Sequence, residues 1–177
     1  MDVDVIVEIP KGSRNKYEYD HELDRIRLDR RLFTATGYPS DYGFVPNTLA
    51  EDGDPIDALL LLDEPTFPGC LVQARVIAVF WMQDERGPDA KLLCVPATDP
   101  RHTHLQDLGD VPWYQITEIW HFFNIYVALE PGKSSETRGW ETKKDAIRAV
   151  EDAQRRFAER GALTAQVRPA RSAPSPG

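Results

Sequence analysis

The segment Asp52-Gly53-Asp54-Pro55-Ile56-Asp57 places three carboxylates within one short loop. Gly53 permits a sharp turn, and Pro55 fixes the backbone between the second and third acids. Like charges this close repel one another, so the loop costs stability unless a cation lies among them. Because hard oxygen ligands on a rigid loop suit Mg²⁺ or Mn²⁺, the loop predicts a site for such a metal rather than for zinc or copper.

Alternating residues on both sides of this loop predict a strand-rich first half. Val3, Val5, Val7 and Ile9 are separated by mainly polar residues, the period-two pattern of a half-buried strand. Short strand-like runs punctuated by Gly, Pro or Asp follow at residues 16–19, 25–29, 58–62, 71–82 and 91–95. Short strands at this spacing predict a closed or nearly closed β-barrel.

The second half predicts two helices. Pro112 can occupy the first position of one helix, where a missing N–H costs nothing. The three- or four-residue spacing of a buried stripe then continues through Ile116, Ile119, Trp120, Phe123 and Val127.

The other helix is predicted to begin at Thr142, with Asp145 three residues on as a variant capping box, and to end at Gly161. Its predicted buried face is Ile147, Val150, Ala153 and Phe157. Residues 1–163 are therefore expected to form a single domain. Residues 164–177, which are rich in Pro, Ala and Ser, are expected to form a disordered tail.

Charge and hydropathy narrow the class of function. Acidic residues outnumber basic ones 29 to 21, and the formal charge of −8 argues against a general nucleic-acid binder. An anionic substrate stays compatible, because bound divalent ions can reverse the local sign of charge. No apolar run reaches the roughly 18 residues of a membrane span, and the first residues lack the features of a secretory signal. With two cysteines at no metal-type spacing, we expect reduced thiols and a cytoplasmic location.

A second acidic segment, Asp84-Glu85-Arg86-Gly87-Pro88-Asp89, separates two predicted strands. A turn there is expected to bring Asp84 and Asp89 close together, with Lys91 on the same strand face as Asp89. Other charged residues fall inside predicted strands, on a barrel face or at its mouth: Glu8, Lys16, Glu18 and Arg30. Taken singly, each of these is better explained by a solvated strand face.

Taken together, these segments resemble the soluble family I inorganic pyrophosphatases of the bacterial, actinobacterial-like type. The resemblance runs in unbroken order from about Val3 to Lys133. It is carried by Glu8-Ile9-Pro10-Lys11-Gly12, Lys16-Tyr17-Glu18, Asp29-Arg30, Tyr38-Pro39-Ser40-Asp41-Tyr42-Gly43-Phe44, the Asp52–Asp57 loop, Asp84 to Lys91, and His121 to Lys133. The Asp-Gly-Asp-Pro-x-Asp loop is the signature of that family.

The resemblance implies a mainly β protein of the α+β class, an OB-like five-stranded β-barrel with two or more flanking helices. It implies Mg²⁺-dependent hydrolysis of inorganic pyrophosphate to two orthophosphates by metal-activated water. Several Mg²⁺ ions per site are expected, with Mn²⁺ or Zn²⁺ as substitutes. The implied partners are pyrophosphate and phosphate, with no nucleic acid and no membrane, and the implied assembly is a homohexamer.

The same resemblance implies roles for individual residues. The implied metal ligands are Glu8, Glu18, Asp52, Asp57, Asp84 and Asp89. Asp54 is the implied base that takes the proton from the attacking water, and Asp89 is the alternative for that duty. The implied contacts to phosphoryl oxygens are Lys16, Arg30, Tyr42, Lys91 and Tyr126. Arg30 can grip two oxygens in a fork, whereas each lysine acts as a point charge.

One position departs from the family pattern. Much of the family has a lysine after the tyrosine that matches Tyr126, and this chain has Val127. Since Val127 also continues the apolar stripe of the first helix, extension of the core explains it simply. We expect weaker phosphate or substrate binding than in relatives that carry the lysine.

Two other classes of function fit parts of the sequence. An OB-like binding module for single strands needs exposed aromatics among basic residues, and the clustered charges here are acidic. A haloacid-dehalogenase-like Mg²⁺-dependent phosphohydrolase also uses two aspartates one residue apart. It places them after a hydrophobic strand in an alternating β/α chain, which residues 49–51 do not provide. An EF-hand loop fails, because Asp57 stands where that loop requires glycine.

Overall fold

The computed structural model describes residues 1–84 and 87–167. Its strands are β1 (Asp2–Ile9), β2 (Asn15–Asp20), β3 (Arg25–Arg31), β4 (Asp41–Phe44), β5 (Asp57–Leu60), β6 (Leu71–Asp84), β7 (Gly87–Pro96) and β8 (Glu136–Thr142). Its helices are α1 (Trp113–Ile125) and α2 (Lys143–Val167), and two short 3₁₀ turns precede α1.

Five of the strands close into a ring. The main sheet has the order β1-β4-β5-β7-β6-β8, and β1 also pairs with β6, which completes a circuit of β1, β4, β5, β7 and β6. Strands β5 and β7 run parallel, whereas the other pairs of the ring are antiparallel. The predicted five-stranded near-barrel with flanking helices is confirmed.

Two elements lie outside the ring. Strands β2 and β3 form a separate antiparallel hairpin, as the alternation at residues 16–19 and 25–29 predicts. Strand β8 adds to the outer edge of β6. Sequence analysis predicted neither β8 nor β4, because β8 is almost wholly polar and all four residues of β4 are buried, so neither alternates.

Strand β4 can lie close to β1 only because Gly43 has no side chain. Gly43 pairs with Val7, and a Cβ atom at Gly43 would lie 1.9 Å from the carbonyl oxygen of Ile6. Any side chain would therefore push the two strands apart. Tyr42, the preceding residue, depends on this close contact for its position.

Helix α1 differs in detail from its prediction. Pro112 lies at the cap position, one residue before the helix, rather than at its first turn. The buried face consists of Ile119, Phe122 and Phe123, whereas Trp120 is 44% exposed. The prediction of Trp120 as a core residue is wrong, because the buried stripe is narrow and Trp120 lies next to it on the solvent side.

Helix α2 also corrects its prediction. It begins at Lys143, and Thr142 Oγ1 donates a hydrogen bond to Asp145 Oδ2 at 2.7 Å, which confirms the predicted capping pair. The buried face is Ala146, Val150 and Ala153, since small residues let the helix lie close to β6; Ile147 is half-buried and Phe157 is 43% exposed.

The predicted end of this helix at Gly161 is wrong, because the helix continues to Val167. Glycine costs about 1 kcal/mol in a helix interior, which the good helix formers before and after it can offset. The predicted tail overlaps the last turn of α2 at residues 164–167. Its remainder, residues 168–177, lies outside the described residues.

The buried core divides into two clusters, one for each helix. Phe122 and Phe123 of α1 pack with Phe80, Leu59 and other residues of the ring. Ala146, Val150 and Ala153 of α2 pack with residues from the opposite faces of the same strands. Neither helix is long and apolar enough to cross a membrane, judged over the described part of the chain.

Candidate active site

A cavity of about 440 Å³ collects most of the residues singled out by the sequence. Its acidic lining residues are Glu8, Glu18, Asp52, Asp54, Asp57 and Asp89. Two lysines and two tyrosines of the predicted set also line it: Lys16, Lys91, Tyr42 and Tyr126. The cavity therefore combines six carboxylates with two ammonium groups and has the negative balance that the sequence predicts for a cation site.

Lys91 occupies the centre of this arrangement. Strands β5 and β7 pair in a register that sets Asp57 directly opposite Lys91, and Asp89 lies two residues before Lys91 on the same strand. Lys91 Nζ lies 2.7 Å from Asp57 Oδ2, 2.7 Å from Asp89 Oδ2 and 2.9 Å from Tyr42 Oη. The prediction that Lys91 and Asp89 share one face of their strand is confirmed.

Burial and charge oppose each other at Lys91, which is only 2% exposed. Burial alone would lower the pKa of Lys91, but the negative charges of Asp57 and Asp89 outweigh it and hold that pKa well above its usual range. Burial raises the pKa of Asp57, and the attraction of Lys91 opposes that rise. The phenol of Tyr42 also donates a hydrogen bond to Asp57, and burial raises the pKa of Tyr42. Lys91 therefore stays a cation between two carboxylates.

Glu8 is poorly solvated. It lies on β1, where it accepts a hydrogen bond from the backbone N–H of Tyr19 at 2.7 Å. Burial raises the pKa of Glu8 to about 7, and the negative charge of Asp57 adds to that rise. A carboxylate that is hard to ionise in this cavity would be stabilised by a bound cation.

The hairpin β2–β3 contributes Lys16 and Glu18. Lys16 Nζ lies 2.5 Å from Glu18 Oε1 and 3.6 Å from Asp29 Oδ2. Arg30 is different from these two residues, because it is absent from the cavity lining. Its guanidinium donates instead to Asp29 and to Glu130. The structure therefore does not bring Arg30 into the cavity.

The acidic loop turns as the sequence predicts. Gly53 has a φ of +94°, a left-handed value that favours glycine. The backbone N–H of Asp54 donates to Asp52 Oδ1 at 3.1 Å, and the carbonyl of Asp54 accepts from the N–H of Ala50 at 2.7 Å. These bonds hold Asp52 and Asp54 at the edge of the cavity.

The five predicted metal ligands whose side chains are described do not converge on one point. In the part of the chain that the structure describes, no three Asp, Glu, His or Cys side chains come together as a metal-binding group. Lys91 lies between two of the predicted ligands, which gives a physical reason. The register of β6 and β7 sets Asp84 opposite Gly87 and Asp89 opposite Met82, and the side chain of Asp84 is outside the described atoms.

Some cavity residues had no role in the sequence analysis. Tyr38 and His21 both line the cavity. His21 contacts the rings of Tyr19 and Phe44 at centroid distances of 5.0 and 5.8 Å. Tyr38 begins the segment Tyr38 to Phe44 that resembles the family, so this resemblance could have identified Tyr38 as a cavity residue. Val127 is 4% exposed and does not line the cavity, which fits its interpretation as a core residue.

Comparison with known proteins identifies relatives over most of the chain. The family "Inorganic pyrophosphatase" matches residues 5–158. The inorganic pyrophosphatase of Streptomyces coelicolor is 60% identical over 91% of this chain and 99% of its own length. That of Corynebacterium efficiens is 53% identical over 89% of this chain and 99% of its own length. The crystal structure of the Thermus thermophilus inorganic pyrophosphatase superposes with a TM-score of 0.87 at 48% identity, covering 89% of this chain and 91% of that one.

These matches first define the class of protein, a hydrolase that acts on a phosphoanhydride bond. The chain belongs to the family I inorganic pyrophosphatases, and its reaction is the hydrolysis of inorganic pyrophosphate. The predicted family and activity are therefore confirmed. Family membership also excludes the two alternatives, an OB-like binding module and a different Mg²⁺-dependent phosphohydrolase.

The raised pKa of Glu8 predicts how the stability of the metal-free protein depends on pH. In the unfolded chain Glu8 ionises near pH 4.5, whereas in the folded protein it ionises near pH 7. The stabilisation from its neutral form is complete below pH 4.5 and is lost as the pH rises to 7. In excess chelator, the free energy of unfolding of the wild type should fall by up to about 3 kcal/mol through this effect, and Glu8→Gln should remove that fall. Urea unfolding between these pH values measures it.

The variant Glu64→Gln is the control for this measurement, because Glu64 is exposed and lies outside the cavity. It should follow the wild-type pH dependence. If Glu8→Gln declined in parallel with the wild type, Glu8 would be better solvated than the structure indicates.

Proposed function

We propose that this chain hydrolyses pyrophosphate in a Mg²⁺-dependent reaction at the cavity lined by Glu8, Asp54 and Lys91. The observation that carries the proposal is the concentration of carboxylates around one buried ammonium. A compact polyanion such as pyrophosphate is repelled by such a surface unless cations bind first. Hard divalent cations answer that need, because carboxylate oxygens are the ligands they prefer.

The chemistry of the side chains fits Mg²⁺. Glu8 is held in surroundings that disfavour its charge, and Asp57 is close enough to strengthen that effect. The residues that would hold the ions are Glu8, Glu18, Asp52, Asp57, Asp84 and Asp89. When bound, Mg²⁺ supplies Lewis acidity that makes water a better nucleophile and offsets charge on the phosphoryl oxygens. Mn²⁺ or Zn²⁺ would be its substitutes.

The substrate would be bound by cations and phenols of the chain itself. Lys91, Lys16 and the hydroxyl groups of Tyr42 and Tyr126 line the cavity and would donate to phosphoryl oxygens. For Lys91 this means turning part of its hydrogen bonding away from Asp57 and Asp89. Arg30 would reach the substrate only from the rim, since Asp29 and Glu130 hold its guanidinium.

Two acids are candidates for the base that takes the proton from water. Asp54 is exposed on the turn at the cavity edge, where water reaches it, whereas the side chain of Asp89 is only 17% exposed. We therefore assign the proton acceptor to Asp54 and keep Asp89 as the alternative. A positioned base within reach of water contributes about 10²–10⁴-fold to the rate.

Phosphate release from pyrophosphate, measured with Mg²⁺ and with excess chelator, tests the metal dependence. Release should stop with chelator. Asp57→Asn should lower kcat/KM at least about 100-fold, because changes beside a metal ligand alone cost about 10–100-fold. The matched control is Asp63→Asn, at an exposed aspartate outside the cavity that should retain wild-type activity. Rapid release in excess chelator would overturn the proposal.

The choice of base is tested with Asp54→Asn. Its kcat should fall about 10²–10⁴-fold, while the thermal shift produced by Mg²⁺ should remain close to that of the wild type. The variant Asp89→Asn, assayed in parallel, should lose activity through the Lys91 contact as well. Turnover of Asp54→Asn near the wild-type rate would transfer the assignment to Asp89.

The same proposal includes a cytoplasmic homohexamer. Helix α1 exposes an aromatic surface formed by Trp113, Tyr114 and Trp120, and Trp113 is 77% exposed. Such a surface on a monomer favours association. Light scattering should give a molar mass six times that of one chain. Replacing Trp113 and Trp120 by serine should lower this measured mass, because it removes most of the aromatic surface. A wild-type mass of one chain would contradict the hexamer, and cell fractionation tests the location.

A further inference from the structure

Glu130 is a buried carboxylate outside the cavity, in the turn that follows α1. Its side chain is only 7% exposed. Its backbone is fixed, because its N–H donates to the carbonyl of Val127 at 2.9 Å and its own carbonyl accepts from the N–H of Lys133 at 3.3 Å. A carboxylate held in such a place needs a cationic partner, since an unpaired buried charge is costly.

That partner is Arg30, 100 residues away in the sequence. Arg30 Nη2 lies 2.9 Å from Glu130 Oε2 and 3.1 Å from Glu130 Oε1. Lys133 is a weaker partner, because its Nζ lies 3.7 Å from the carboxylate and its side chain is 47% exposed. The ion pair of Arg30 with Glu130 thus joins the hairpin β2–β3 to the turn after α1.

The contact continues into the cavity through the hairpin β2–β3. Arg30 also donates to Asp29, and Asp29 Oδ2 lies 3.6 Å from Lys16 Nζ. Arg30 and Lys16 are paired across the two strands of the hairpin. A chain of alternating charges therefore runs from Glu130 through Arg30 and Asp29 to the cavity-lining ammonium of Lys16.

The hairpin has few other anchors of this kind near the cavity. It forms its own two-stranded sheet and shares no strand pairing with the ring over the described residues. On its other side, the N–H of Tyr19 donates to Glu8. The hairpin is thus held by two glutamates, Glu8 from β1, which precedes it in the chain, and Glu130 from the turn after α1, which follows it.

We infer that Glu130 is a positioning residue for pyrophosphate hydrolysis: through Arg30 and Asp29 it holds the hairpin so that Lys16 faces the substrate cavity. This inference rests on the proposed role of Lys16 in binding phosphoryl oxygens. Glu130 does not line the cavity and would touch neither substrate nor metal. Its loss would loosen a binding group and leave the catalytic acids in place.

Steady-state kinetics of Glu130→Gln test the inference. KM for the magnesium–pyrophosphate complex should rise about 10-fold, the effect of losing one charge-assisted hydrogen bond, while kcat should change far less. Glu130→Asp keeps the charge and should restore part of the affinity. The control Glu136→Gln, at an exposed glutamate at the start of β8, should leave both constants unchanged.

A double-mutant cycle separates positioning from general stabilisation. If Glu130 acts through Arg30, adding Glu130→Gln to Arg30→Gln should raise KM no further. Independent effects that multiply would overturn the inference, as would a Glu130→Gln enzyme with unchanged KM. If Glu130→Gln folds poorly, Glu130→Asp in the wild-type and Arg30→Gln backgrounds gives the same comparison.

A Lys16→Met variant distinguishes failure of this inference from failure of the proposed function. A raised KM in Lys16→Met beside an unchanged KM in Glu130→Gln would reject only the positioning role. An unchanged KM in both variants would reject the role of Lys16 in substrate binding, and the inference about Glu130 with it.

Discussion

The ammonium of Lys91 is the interaction on which the site depends. It replaces its lost water with oxygens from Asp57, Asp89 and Tyr42, which come from three different strands of the ring. Without this ammonium, the partly buried carboxylates of Asp57 and Asp89 would repel each other. Because one cation bonds to both, the two carboxylates can lie close together in the cavity at a lower cost.

The rest of the molecule supports this centre in two ways. The ring sets the register: β5 and β7 pair in parallel, and Gly43 lets β4 lie against β1, so that Tyr42 reaches Lys91. The hairpin β2–β3 is held by side chains instead, at Glu8 and at Glu130. The ring thus carries Glu8, Asp57 and Asp89, whereas a separately held hairpin carries Lys16 and Glu18.

The sequence predicted most of this arrangement, for physical reasons. Period-two alternation found β1, β2 and β3, and the spacing of Asp89 and Lys91 predicted that their side chains lie on one face of a strand. It could not find β4, where all four residues are buried, or β8, where almost all are polar, because neither alternates. The partnership of Glu130 with Arg30 was equally hidden, since it joins residues far apart in the chain through tertiary packing alone. Trp120 was misassigned because the spacing of apolar residues predicts where the buried stripe of a helix runs but not how wide it is.

The parallel pairing of β5 with β7 also affects how the enzyme forms. Strands β6 and β7 are neighbours in the chain and can pair early. Strand β5 pairs with β7, so this parallel pair can form only after the whole of β6 has been placed between them in the chain path. Non-local pairings of this kind form late, because the intervening chain loses freedom before any contact compensates it. A newly made chain would remain inactive until its ring has closed.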